Sequence, residues 1–184
     1  MKRHALGALT TLAASAVLLA QPVQAASPFN EYCATWPAVA MTPYDDNIQA
    51  DQYKMTHERV YHNDHKTGTI LLYGPVPGGW DALEAVRWRV VYKDPDGHRT
   101  GGEVYAELRF VDRAGNISVV EKLASNYPSN HESWGNGVDS MTAVFPTHAL
   151  SRDDGAYSVR VYVKRSNTHV RPAVLNYEFC STVH

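Results

Sequence analysis

Strict alternation of apolar and polar residues in three segments is the feature that most constrains the fold of this chain. In residues 86–92 every second residue is apolar or aromatic, and Arg87 and Arg89 lie between them. Residues 104–110 and 157–163 repeat the pattern. Because successive side chains of a strand point to opposite faces, each segment is predicted to form a strand with one buried face.

Weaker alternation predicts five more strands, at residues 52–61, 69–73, 116–123, 138–145 and 173–180. Turn-forming Asp, Pro and Gly residues separate the runs at 94–97, 112–116 and 153–155. Two stretches, 27–50 and 124–137, show no such pattern and are predicted to be irregular. About eight strands at this spacing predict an all-β fold, a single antiparallel β-sandwich or jelly-roll-like domain.

The N-terminal 25 residues have the composition of a cleaved secretory signal peptide. A basic head is followed by an apolar run and by a small-x-small exit at 23–25. We therefore expect a secreted or periplasmic protein whose mature domain is 26–184. Without residues 1–25 the chain carries 15 basic and 19 acidic side chains. This balance disfavours nucleic acid as a partner, and no second apolar run is long enough to span a membrane.

Only two cysteines occur, Cys33 and Cys180, near the two ends of the predicted domain. In an oxidising compartment, one disulfide between them is the simplest expectation. It requires the segment around Cys33 to cross the last strand. Two free thiols or an intermolecular bridge are the alternatives.

Three histidines, His57, His62 and His65, with acidic residues between them, form the only pattern with metal-ligand character. Imidazoles and carboxylates bind zinc or copper when they meet at one point. On a strand His57 and His65 would share a face and His62 would point away, so convergence requires a turn. No cofactor is otherwise expected, because the aspartate turns at Asp94 and Asp153 are too short for a twelve-residue calcium loop.

Aromatic residues in predicted loops form a candidate ligand surface. Tyr127, His131 and Trp134 lie in the second irregular stretch, and Trp36 and Trp80 could join them. Such rings can stack on sugars, and neighbouring amides can hydrogen-bond hydroxyls. The same rings can instead attach a long loop to the sandwich.

Charged residues and tyrosines occupy the positions that alternate with the predicted core positions. If the strands adjoin, they form one polar face, which either recognises a polymer or protein or is only a lattice of solvated ion pairs. Its members are Arg87, Arg89, Glu103, Tyr105, Glu107, Arg109, Arg160, Tyr162 and Lys164.

No catalytic or nucleotide-binding motif is present. The order of strands and turns, with a cysteine near the end, resembles small secreted bacterial β-sandwich proteins, which implies a fold and no activity. The expected function is a secreted or periplasmic non-catalytic binding module with a protein or envelope partner. The alternatives are a carbohydrate-binding module that uses the loop aromatics, and a metal-binding protein or metal-dependent enzyme that uses the histidines.

Overall fold

A computed structural model describes residues 31–44, 50–76, 85–97, 99–127, 131–146, 150 and 155–182. The predicted signal peptide lies outside these residues. Within them, apart from one 3-10 turn at Ala38–Ala40, the regular elements are the strands β1 (Glu31–Pro37), β2 (Thr42–Pro43), β3 (Tyr53–Met55), β4 (Val60–His62), β5 (Gly68–Pro75), β6 (Ala85–Lys93), β7 (Gly102–Asp112), β8 (Ile117–Ala124), β9 (His131–Gly135), β10 (Val138–Val144), β11 (Gly155–Arg165) and β12 (Ala173–Thr182).

These strands form two antiparallel sheets, as the sequence predicted. The five-stranded sheet has the order β2-β5-β11-β7-β8. The seven-stranded sheet has the order β3-β4-β12-β6-β10-β9, and β1 pairs with β12 next to β4. In the described part of the chain, no helix is long and apolar enough to cross a membrane.

One hydrophobic core joins the two sheets. The apolar positions predicted in 86–92, 104–110 and 157–163 supply much of it, including the fully buried Trp88, Leu108 and Val161. Trp88 stacks on Phe179 of the neighbouring strand, with ring centroids 6.2 Å apart. The Tyr177 hydroxyl is also satisfied, because it donates to the carbonyl oxygen of Pro75 at 2.7 Å in the opposite sheet.

β12 links the N-terminal strand of the described chain, β1, to β6 in the middle of the seven-stranded sheet. β12 pairs with β6 along one edge and with β1 along the other, where Cys33 lies directly opposite Cys180. The two cysteines form the expected disulfide. Part of the stretch 27–50, predicted to be irregular, is therefore the strand β1, and its pairing with β12 holds it in an extended conformation.

Two other strand predictions required correction. The run 52–61 is two short strands, because Thr56 and Arg59 pair through their backbones and close a turn between β3 and β4. In the predicted strand 173–180, simple alternation would place 175, 177 and 179 on one face, but a bulge lies between Val174 and Asn176. As a result Val174, Tyr177 and Phe179 are buried, and Leu175 is only half-buried.

The disulfide is expected to stabilise the fold mainly by restricting the unfolded chain. It spans 147 residues of sequence, and a loop of that size restricts the unfolded chain by about 5 kcal/mol in the entropy model. Replacing Cys33 and Cys180 together with alanine should lower the free energy of unfolding by about 2–5 kcal/mol in urea titrations. A reducing agent should have the same effect on the wild type and none on the double variant. Equal stabilities of oxidised and reduced protein would contradict this assignment.

Candidate functional site

Four tyrosines lie close together on the outer face of the five-stranded sheet. Tyr105 of β7 and Tyr162 of β11 are directly opposite each other, with ring centroids 5.2 Å apart. On the far side of β11, Tyr73 of β5 lies in the next cross-strand row, opposite Arg160, and packs against Tyr44, which follows β2, at 5.7 Å. Because Tyr73, Tyr105 and Tyr162 alternate with core positions, the period of two places them on the outer face, and Tyr44 joins them by its contact with Tyr73. We call this set, with the two cations described next, the tyrosine ladder.

Two basic side chains lie between and beside the rings of the tyrosine ladder. The guanidinium of Arg160 lies 5.2 Å from the ring centre of Tyr73 and 5.0 Å from that of Tyr162. The Lys164 ammonium lies 5.1 Å from the ring centre of Tyr105. All three distances are in the range of cation–π attraction. The ladder is thus a continuous arrangement of rings and cations that crosses β2, β5, β11 and β7.

Glu107 holds the centre of this face. Only 9% exposed, it accepts hydrogen bonds from the hydroxyls of Tyr105 at 3.0 Å and Tyr162 at 3.4 Å. Arg109 Nε lies 3.8 Å from the same carboxylate. Burial, together with the hydrogen bond to Glu107, raises the pKa of Tyr105, and burial also raises the pKa of Tyr162. Both phenols therefore stay protonated at neutral pH, and their positions are set by one carboxylate.

The outer face of the five-stranded sheet carries more positive than negative charge. By the strand register its basic residues are Lys122, Arg109, Arg160 and Lys164, and its acids are Glu103 and Glu107. The predicted polar face also included Arg87 and Arg89, and this part was wrong. Those two arginines lie on β6 of the other sheet, where Arg89 pairs with Glu178 at 2.7 Å. A period of two shows that a residue points outward but not to which sheet its strand belongs.

A pocket of about 380 Å³ adjoins the Lys164 end of the tyrosine ladder. Lys164 pairs with Glu103 at 2.7 Å on its rim. Arg165 contributes to the wall but donates to the carbonyl oxygens of Asn63, Lys66, Asn167 and Thr168. Its guanidinium is therefore used to hold neighbouring loops. The pocket lining is Gly68, Thr69, Thr100, Gly102, Glu103, Asn126, Lys164, Arg165 and Ser166.

A buried carboxylate lies behind this pocket. Asp94, at the end of β6, accepts a hydrogen bond from Ser125 Oγ at 2.5 Å. Burial and the adjacent Asp96 carboxylate raise the pKa of Asp94 to about 7, although the Ser125 hydrogen bond opposes the shift. Asp94 is therefore the described acid whose charge changes nearest to neutral pH.

The three predicted metal-binding histidines are not brought together. His62 is buried in β4 and donates from Nε2 to the Val163 carbonyl oxygen at 2.9 Å, and burial lowers its pKa. His57 and His65 are exposed, and His57 lies 3.5 Å from Glu58. Among the described His, Cys, Asp and Glu residues the only group of three with metal-ligand spacing is Cys33, Glu178 and Cys180, whose two sulfurs are joined in the disulfide.

The predicted loop aromatics have different environments. Trp36 of β1 stacks on Tyr177 at 5.7 Å and packs against the core. Tyr127 follows β8 and is 69% exposed. His131 and Trp134 have their backbones in β9, at an edge of the seven-stranded sheet. Their side chains, and the whole of Trp80, lie outside what the structure describes, so a shared loop surface stays a prediction.

Sequence reasoning identified four of the six members of the tyrosine ladder. Tyr105, Tyr162, Arg160 and Lys164 were recognised from alternation as outward-facing. Tyr73 ends a predicted strand, and its outward position follows from the same alternation with the buried Leu72. Tyr44 has no such signal, because it lies beyond a two-residue strand that pairs only with β5.

Comparison with known proteins gave no family and no curated relative that matches this chain. Several solved structures share a coarse likeness. A low-affinity xylan-binding module from Roseburia intestinalis is 9% identical, with a TM-score of 0.43, over 83% of this chain and 96% of that one. The K2 cleaved adhesin domain of Lys-gingipain is 13% identical, with a TM-score of 0.42, over 82% and 99%. A family two carbohydrate esterase from Cellvibrio japonicus is 5% identical, with a TM-score of 0.37, over 84% and 36%. Because their TM-scores are below 0.5, these similarities do not support a functional assignment for this chain.

Asp94 is expected to make stability depend on pH. Its pKa is about 7 in the folded protein, above the value of about 3.9 in an unfolded chain. Between these values the folded state binds more protons, so its stability falls as pH rises from about 4 to about 7, by at most about 4 kcal/mol. Urea unfolding in metal-depleted buffer from pH 4.5 to 8 measures this dependence.

Asp94→Asn is the matched variant for that experiment. It keeps an oxygen for the Ser125 hydroxyl and removes the titration, so the stability difference between wild type and variant should change across this pH range. His62 acts in the opposite direction below pH 6.5, because its pKa is lowered, but it is common to both proteins. Parallel pH curves for the two proteins would contradict the assignment to Asp94.

Proposed function

We propose that this protein is an exported, non-catalytic binding module that holds an extended carbohydrate chain across the tyrosine ladder. The single observation that carries the proposal is the group of four tyrosines, interleaved with Arg160 and Lys164, on one sheet face. Strands lie about 4.8 Å apart, so a group that spans four of them extends about 14 Å across the strands. This shape suits a linear polymer lying across the strands.

The chemistry of the tyrosine ladder also suits sugars. The apolar C–H faces of a pyranose pack on aromatic rings, and its hydroxyls need donors and acceptors beside those rings. Here Arg160 and Lys164 provide donors within a few ångströms of the ring faces. Since Lys164 is already held by its ion pair with Glu103 and Arg160 by its contacts with two rings, a bound chain would cost little conformational entropy.

The arrangement of acids supports binding rather than hydrolysis. Glu103 and Glu107 share the outer face but are four residues apart on β7, a rise of about 13 Å. Glycosidases place two carboxyl groups about 5–9.5 Å apart. Glu107 is also occupied by the two tyrosine hydroxyls.

A sugar ligand fits this face better than the protein or envelope-protein partner favoured by the sequence. Protein interfaces have an apolar centre with a polar rim. The centre of this face is Glu107 with its tyrosine and arginine partners. The exposed apolar side chains Ile117, Val119 and Val120 lie on β8 at the edge of the sheet.

We also propose that the protein is exported and that its mature form is a single domain, 26–184. The composition of residues 1–25 favours secretion or a periplasmic location. The Cys33–Cys180 disulfide supports an oxidising compartment.

Affinity electrophoresis and calorimetry against a panel of soluble polysaccharides test the binding surface. Tyr73→Ala and Tyr162→Ala should each weaken binding of a responding polysaccharide by about tenfold or more, which is about 1.4 kcal/mol per factor of ten. Tyr61→Ala is the matched control, because Arg59 also covers its ring, at 5.1 Å, but on the other sheet. That variant should bind as the wild type does.

Two results would contradict the assignment. Loss of binding in Tyr127→Ala or Trp134→Ala, with the ladder variants unaffected, would move the site to the predicted loop surface. If no polysaccharide binds but a protein partner binds through the same ladder residues, the ligand of this face is a protein and not a carbohydrate. Thermal melting of each variant separates loss of binding from loss of folding.

A further inference from the structure

Two cations on the outer face of the five-stranded sheet have no acidic partner. Among the described residues, the strand register places four basic and two acidic side chains on this face, a net charge of +2. Both acids are already engaged, because Glu103 pairs with Lys164 at 2.7 Å and Glu107 accepts hydrogen bonds from two tyrosine hydroxyls. In the part of the chain that the structure describes, no carboxylate lies within ion-pair distance of Arg160 or Lys122.

This positive face belongs to a chain that is acidic as a whole. Residues 26–184 carry 15 basic and 19 acidic side chains, a net charge of −4. The excess of positive charge is therefore a local property of the tyrosine-ladder face. A patch whose sign is opposite to that of the whole chain attracts ligands of the opposite charge. An anionic group on a bound polymer complements this face.

The two unpaired cations lie in one cross-strand row. Glu107 of β7 is opposite Arg160 on β11 and opposite Lys122 on β8. Two strand spacings separate the backbones of these cations, a distance of about 10 Å. Tyr73 lies in the same row on the other side of Arg160. A polymer that lies across the strands therefore meets a tyrosine ring, a guanidinium and then an ammonium group.

The tyrosine rings hold Arg160 in position without neutralising it. Its guanidinium lies 5.2 Å from the ring centre of Tyr73 and 5.0 Å from that of Tyr162. A planar guanidinium donates two parallel hydrogen bonds to a carboxylate or sulfate. Lys122 is exposed and supplies a point charge. An acidic substituent on a sugar that stacks on one of these rings therefore has a cation beside it.

We propose that the tyrosine ladder binds an acidic polysaccharide, whose carboxylate or sulfate groups pair with Arg160 and Lys122. This inference rests on the proposed function and names the class of polymer. A neutral polysaccharide would use neither charge, and attraction by charge alone would not need the four rings. Single-stranded nucleic acid also combines anions with groups that stack on aromatic rings, but the acidic balance of the chain as a whole disfavours it.

Affinity electrophoresis and calorimetry at neutral pH with matched pairs of polymers test the proposal. Polygalacturonate and alginate are each compared with the same polymer after reduction of its carboxyl groups to alcohols, so that only the charge differs. The protein should bind an acidic member about tenfold more tightly than its reduced counterpart, and added salt should weaken only the binding of the acidic member. Dextran sulfate, compared with dextran, tests sulfate as the anion, and a preference for either anion supports the proposal.

Variants of the two cations assign the effect to this face. Arg160→Gln should weaken binding of the acidic polymer by about fivefold or more, and Lys122→Gln by about twofold, because an exposed ion pair contributes less. Neither should change binding of the reduced polymer. Arg59→Gln is the matched control, because Arg59 also lies over a tyrosine ring, at 5.1 Å from the centre of Tyr61, but on the other sheet. Lys122 is exposed, so Lys122→Gln keeps the test informative if Arg160→Gln does not fold.

Three results would overturn the inference. Equal binding of acidic and reduced polymers would do so and would leave the carbohydrate proposal intact. Failure of every acidic and neutral polysaccharide would overturn the proposed function as well. Binding of a single-stranded DNA oligonucleotide as tightly as the best acidic polymer, with loss in Arg160→Gln, would show that the face accepts any polyanion.

Discussion

The two-sided pairing of β12 is the constraint on which the rest of this structure depends. Its one edge carries β6, whose inward side chains build the core, and its other edge carries β1 and β4. The disulfide covalently attaches β1 at the position where register already places Cys33 opposite Cys180. Tyr177 then extends this anchoring to the opposite sheet through its hydrogen bond to Pro75, with no Cβ on Gly74 to obstruct the ring. β12 therefore holds both sheets in place.

Burial of one face leaves the other face free to be chemically specialised. In the middle of β7 and β11 the inward residues Ala106, Val161 and Val163 are small or aliphatic and fully buried. Their outward neighbours are not needed to fill the core, so Tyr105, Tyr162 and Glu107 can form a polar network. Exposed ion pairs such as Lys164–Glu103 contribute little to stability. The combination of aromatic rings with fixed polar groups on this face therefore supports the proposed role in recognition.

The sequence predicted which residues point inward far better than which strands are neighbours. Alternation correctly identified Trp88, Leu108 and Val161 as core and Tyr105 and Tyr162 as outward, because direction is a local property of a strand. It wrongly joined Arg87 and Arg89 to the same surface, since sheet membership is set by contacts distant in sequence. The three histidines do not converge on one point, because His62 is buried and its Nε2 donates to the carbonyl oxygen of Val163, more than 100 residues away. Tyr44 and β1 were missed because their strand character comes from their partners.

The regions of this protein that combine burial with unbalanced charge lie at one end of the sandwich. Lys164 and Glu103 connect the tyrosine ladder to the pocket, and Asn126 and Gly102 connect the pocket to the Asp94 turn. A ligand held on the ladder would reach this end along β7 and β11, whose register places Glu103 opposite Lys164. A proton on Asp94 therefore changes the charge next to the rim of this pocket. Because β6 and β8 belong to different sheets, the hydrogen bond from Ser125, after β8, to Asp94, after β6, also joins the two sheets at that end.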